Sequence, residues 1–81
     1  MAVKELGEVG IGEIIRRAWN LRVDRARFYG ENWRKMSLRS LYCGALYKLE
    51  RSLYTENREK KIDDLFDALN YIIFILRRLG I

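Results

Sequence analysis

The chain of 81 residues has no histidine, no proline and a single cysteine, Cys43. Without histidine it lacks the side chain whose charge changes near neutral pH. Ser-His and Cys-His nucleophile pairs are excluded, and so are zinc sites built on His and Cys. One cysteine rules out a disulfide within the chain and fits a reducing compartment. Long apolar runs are missing too: the longest, Tyr71 to Leu76, falls far short of the about 20 residues a membrane helix needs. The opening Met-Ala-Val-Lys-Glu-Leu-Gly has no cationic flank followed by an apolar run, so no signal peptide is expected. Together these absences predict a soluble, cytoplasmic protein with no membrane partner.

What is present is charge and helical periodicity. Sixteen basic and eleven acidic residues give a net charge of +5. The excess is concentrated: between Arg16 and Arg39 eight basic residues face only Asp24 and Glu31, a net +6, which leaves −1 for the rest. An anionic partner should meet the protein there. The abundance of Ile, Tyr, Arg and Glu suits a thermophilic host.

The length predicts one domain over residues 1–81. Residues 1–10, punctuated by Gly7 and Gly10, read as a loose arm. The spacing predicts an all-α fold of three main helices, at about 11–28, 38–54 and 58–79. In the first, Ile11, Ile14, Ile15 and Ala18 make an apolar stripe whose continuation reaches Arg22 and Arg25. Gly30 reads as its stop and Ser37 as the cap of the second helix. The second helix shows Leu38, Leu41, Tyr42, Ala45, Leu49 and Leu53 as its buried face, with Gly44 at a close crossing. Thr55 or Asn57 caps the third, whose buried stripe reads as Ile62, Leu65, Phe66, Leu69, Ile72, Ile73, Leu76 and Leu79. Tyr71, Phe74 and Ile75 widen that helix's apolar surface beyond what two partner helices cover. A helical bundle completed by homodimerisation is therefore expected, against a monomer whose arm folds over the surplus.

Asp63, Asp67 and Asn70 share one face of the third helix. Carboxylates one turn apart suit a divalent cation such as magnesium, or they pair with Lys48 and Arg51 across a helix hairpin. Arg22 and Arg25 extend a buried stripe, and a buried guanidinium needs a partner: Asp63 and Asp67, or a bound phosphate. Tyr29 and Trp33 stand near these arginines in the chain, where aromatic faces stack on a base or serve as ordinary core.

The segments Arg25-Ala-Arg-Phe-Tyr-Gly30, Trp33, Lys48-Leu-Glu-Arg51 and Ile62-Asp-Asp-Leu-Phe-Asp-Ala-Leu-Asn-Tyr71 resemble a phage and bacterial family, the nucleotide modification associated domain type 1. That family looks distantly related to the MazG-like all-α pyrophosphatases. It carries a Lys-Asn-x-Asp-Tyr-Gly segment before a Trp, then a Lys-x-x-Arg helix, then a helix with Asp, a second Asp four residues on, and Asn-Tyr. The likeness spans roughly residues 22–79 and sets Tyr29, Gly30, Trp33, Lys48, Arg51, Asp63, Asp67, Asn70 and Tyr71 on family positions. It departs at Phe28, where the family prefers Asp, and in lacking a Glu-x-x-Glu pair on the second helix.

The resemblance and the residues together imply a nucleotide-binding or nucleotide-handling protein. Arg22, Arg25, Lys48 and Arg51 would hold phosphates, Tyr29 or Trp33 would stack on the base, and Asp63, Asp67 and Asn70 would hold magnesium. The alternatives are a basic, nucleic-acid-binding helical dimer and a non-catalytic assembly protein of a virus or mobile element.

Overall fold

The computed structural model describes residues 10–29 and 32–81, and for 27–29 the backbone alone. Of the expected arm over residues 1–10 all but Gly10 lies outside the described residues, as do the Gly30 stop and the ring of Tyr29. The described chain is all-helical. Helix α1 spans Ile11–Tyr29, a short 3-10 turn Asn32–Lys35, α2 Leu38–Tyr54 and α3 Arg58–Arg78.

The helix ends follow local chemistry. The Gly10 carbonyl accepts the amides of Glu13 and Ile14 and so starts α1. Ser37 Oγ accepts the Ser40 amide at 3.1 Å, and Asn57 Oδ1 accepts the Lys60 amide at 3.1 Å. Each cap satisfies one amide that the first turn leaves without a helical partner. Thr55 instead closes α2, its amide bonding the Arg51 carbonyl. At the far end Gly80 has φ +97°, a left-handed conformation that favours glycine, and the Ile81 amide turns back to the Leu76 carbonyl.

Helix α3 is central. It forms a tight hairpin with α2 and packs on α1 over a shorter stretch. Both pairings are antiparallel: Arg51 meets Asp64 while Gly44 meets Tyr71, and Arg25 meets Asp63 while Ala18 meets Asn70.

The core is small. Leu41, Phe74 and Ile75 are its large buried side chains, with Ala18, Ala45 and Ala68 beside them and Trp33, Met36, Leu38 and Tyr71 packed around. Trp33 stacks on Phe74, ring centroids 4.6 Å apart, and Trp19 and Tyr71 meet Phe74 edge-on.

This core differs from the one the periodicity predicts. The stripe of α3 read as buried is only partly so: Leu65, Ile72, Leu76 and Leu79 are exposed, and Ile62, Phe66, Leu69 and Ile73 are half-buried, Ile73 in a hollow shared with Trp19 and Val23 of α1. On α2, Tyr42, Leu49 and Leu53 are exposed as well. The residues of α3 that face inward are Asp64, Ala68, Asn70, Phe74 and Ile75. The physical reason lies in the polar groups. Charges on α1 and α2 find their partners on α3's Asp63, Asp64 and Asp67, and that pairing fixes how α3 is rotated about its axis.

Candidate functional site

Three carboxylates of α3 and three cations from the other helices alternate in one continuous network. Arg25 on α1 donates from one terminal nitrogen to both oxygens of Asp63, at 2.8 and 2.9 Å, and from the other to Asp67 Oδ1. Lys48 Nζ on α2 lies 3.0 Å from Asp67 Oδ2 and 3.9 Å from Asp64 Oδ1. Arg51, one turn further along α2, grips Asp64 through Nε at 2.9 Å and Nη2 at 2.6 Å. Bidentate charge-assisted bonds of this kind are the stronger class of hydrogen bond.

The charges are tuned accordingly. Hydrogen bonding from Arg51 holds the Asp64 carboxyl below the ordinary aspartate value, against the opposing effect of burial. Burial works against the Arg25 charge, but the hydrogen bond to Asp63 and the fields of Asp67 and Asp63 keep its pKa above the ordinary value. Arg51 is likewise raised, by its hydrogen bonds to Asp64 and Tyr47.

Beside this network a cleft of about 280 Å³ opens between α1, the 3-10 turn and the hairpin. Arg22, Arg25, Lys48, Asn32, Asp67 and Asn70 supply its polar lining, and Ala26, Met36, Trp33, Tyr71 and Phe74 its apolar wall. Asn70 is 4% exposed; its Nδ2 donates to the Ala18 carbonyl at 2.8 Å, whereas no described residue donates to its Oδ1. A buried amide oxygen left this way is uncommon and looks for a donor.

The residues singled out from sequence separate into groups. Arg22, Arg25, Lys48, Asp67, Asn70 and Trp33 come together on the cleft. Arg51 and Asp63 line a separate hollow with Thr55, Lys60 and Asp64. Arg22 lies over aromatic rings, 5.4 Å from the Trp19 centroid and 5.2 Å from that of Phe74. Trp33 is engaged by Phe74 and by the Arg34 guanidinium 4.8 Å from its centroid. Its ring is part of the wall rather than an open stacking platform.

Sequence reasoning missed Asp64 and gave Tyr71 no role at the site. Asp64, Ala68, Tyr71 and Ile75 recur at helical spacing along α3, and that line was the available signal.

Asp63, Asp64 and Asp67 bring carboxylate oxygens within 4.8 Å of one another. The donor type suits magnesium. The surroundings do not: Arg25, Lys48 and Arg51 already neutralise the three carboxylates, and an ion would have to displace them. No helix among the described residues is long and apolar enough to cross a membrane. No family model, no curated protein and no solved structure matches the chain.

Proposed function

We propose that the cleft between α1 and the α2–α3 hairpin binds a small phosphate-bearing ligand, and that the protein handles nucleotides. The observation that carries this reading is a cleft whose lining brings Arg22 together with Asn70, whose buried amide oxygen no described residue serves. A nucleotide supplies both complements. Its phosphate matches Arg22, with Arg25 and Lys48 beside it in their pairs with Asp63 and Asp67, and an amino or hydroxyl group offers Asn70 Oδ1 the donor it lacks. The rings of Tyr71 and Phe74 and the Met36 side chain offer an apolar wall to a base. A cleft of about 280 Å³ lies at the small end of ligand sites, which run from about 300 Å³ upward. That size favours a mononucleotide over a longer polymer. The resemblance to the nucleotide modification associated family points to the same ligand class.

The reading is one of binding. The carboxylates that would serve hydrolysis are committed to cations, so no chemical step is drawn through them.

Thermal melts with nucleoside mono- and triphosphates test it, with inorganic phosphate and a nucleoside as separate arms. A ligand at ten times its Kd stabilises the native state by about 1.4 kcal/mol, a shift of several degrees for a domain this small. Arg22→Gln should weaken the shift. Unchanged melting with every nucleotide at millimolar concentration defeats the proposal.

A second reading, nucleic-acid binding, draws on another hollow, lined by Arg34, Arg77 and Arg78 beside Trp33. Gel shifts across a salt series separate the two, because phosphate-backbone binding weakens steeply as salt rises.

A further inference from the structure

We infer that the α2–α3 hairpin docks, through the face opposite its ion network, onto the same face of a second copy of this chain. Every residue on the line Ile62, Leu65, Leu69, Ile72, Leu76 and Leu79 of α3 is leucine or isoleucine, at alternating steps of three and four. None of the six is buried, and Leu65, Ile72 and Leu76 are 42–43% exposed. Helix α2 repeats the pattern with Tyr42, Leu46, Leu49 and Leu53, again all exposed. Leu41 clusters with Phe74 and Ile75, Gly44 faces Tyr71 and Arg51 bonds Asp64 along the contact between the two helices. At 100° per residue the exposed stripe of each helix lies on one side of that contact, and the network residues Lys48, Arg51, Asp63 and Asp67 turn the other way, so the two stripes form one continuous face.

Three arguments identify what covers it. First, steps of three and four are the spacing of a seam packed against another helix, knobs into holes, and not of a small-molecule site. A second copy brings the same seam, and a two-fold axis lets one patch meet itself. Second, the size is right. Two helices side by side, one of 21 residues, present a face about 30 Å by 20 Å. That is about 600 Å² in plan, approaching the about 800 Å² each partner gives to a standard interface. Third, the protomer's own core holds only three large buried side chains among the described residues, while sixteen large apolar side chains are exposed. Residues 1–9 contain just five apolar side chains, Met1, Ala2, Val3, Leu6 and Val9, too few to cover two helices. The face thus differs from the surplus the sequence pointed to: Tyr71, Phe74 and Ile75 lie within the protomer, and the supposed core stripe is the docking surface.

Light scattering and sedimentation of the full chain in a Cys43→Ser background, which removes disulfide-linked pairs, test the inference. The expected species is a dimer whose melting temperature rises with protein concentration. Leu65→Glu and Ile72→Glu should give monomers at concentrations where Tyr54→Glu, on an exposed residue off the face, remains a dimer. If the glutamate variants fail to fold, the concentration dependence of the unsubstituted face decides alone. A helical monomer at high micromolar concentration, a melting temperature independent of concentration, or glutamate variants that still dimerise would each overturn it. The first of these would mark a different partner as the cover.

Discussion

Arg51 holds Asp64 by two parallel hydrogen bonds, although the carboxylate is 2% exposed and about half of the guanidinium side chain lies in water. The pair is unequal, and so are the consequences of breaking it. Arg51→Ala strands a buried carboxylate whose next cation, Lys48, is 3.9 Å away. Asp64→Asn leaves a guanidinium that turns to solvent at little cost. Urea unfolding should therefore show a lower midpoint for Arg51→Ala than for Asp64→Asn. Equal midpoints would mean that Lys48 moves in to replace Arg51.

The same pair sets an acid limit. In the folded protein the hydrogen bond from Arg51 lowers the Asp64 pKa below its ordinary 3.8. The unfolded chain then binds more protons than the native one in that range, so stability rises with pH there. The contribution is complete above the unfolded value and is lost as pH falls through the lower folded value. Melting temperatures from pH 7 downward should hold until about pH 4 and then drop, as the ordinary aspartate pKa is about 3.9. Asp64→Asn should flatten part of that drop.

Helix extents were legible because caps and spacing are local. Ser37, Asn57 and Gly80 mark three ends by their own chemistry. The meeting of Arg25 with Asp63 and Asp67 was legible too, as the point where an apolar stripe on α1 runs into arginines. The rotation of α3 was not. Periodicity shows that a face is apolar and leaves open which neighbour covers it, so the run from Ile62 to Leu79 read as core. Asp64 was hidden for the same reason: it lies one position from Asp63 but a third of the way round the helix, on the side facing α2.

Gly44 lies where α2 packs closely on α3, and the group it makes room for is the Tyr71 ring. A Cβ there would stand 2.6 Å from Tyr71 Cζ and 2.7 Å from Cε1, so the tyrosine ring lies against the glycine. Gly44→Ala gains about 1 kcal/mol of helix propensity. It also pushes Tyr71 off α2, and overpacking of this kind costs about 1–3 kcal/mol. We expect a net loss of about 1 kcal/mol in chemical denaturation, and, if the proposed cleft takes nucleotides, a smaller nucleotide-induced melting shift, because Tyr71 lines it. Adding Tyr71→Ala should remove the clash, and with it most of the penalty specific to Gly44→Ala.

Among the described residues Leu41 is the one large side chain that is completely enclosed, at 0% exposure, packed with Phe74 and Ile75. Truncating it leaves a cavity that two helices cannot easily close. Leu41→Ala should cost about 2–5 kcal/mol, a large share of the stability of so small a domain. Circular dichroism melts of Leu41→Ala beside Tyr54→Ala, whose side chain is exposed and off the docking face, give the comparison. A loss for Leu41→Ala below about 1 kcal/mol would mean that the core lies elsewhere.

Arg25 decides whether the acidic face of α3 takes a metal. It bonds both Asp63 and Asp67, while Lys48 and Arg51 account for the rest of the negative charge. With three carboxylates set against three cations, a divalent ion gains nothing by entering. Magnesium alone should leave the melting temperature of the native chain unchanged at low millimolar concentration. Arg25→Gln removes one positive charge and leaves the oxygens of Asp63 and Asp67 without their shared partner, restoring the acidic surroundings a hard cation needs. That variant should be less stable than the native chain, and magnesium should recover part of the loss, more than an equal ionic strength of sodium chloride does. Stabilisation of the native chain by magnesium alone would show that the ion displaces Arg25, and the carboxylates would then have to be counted as ligands.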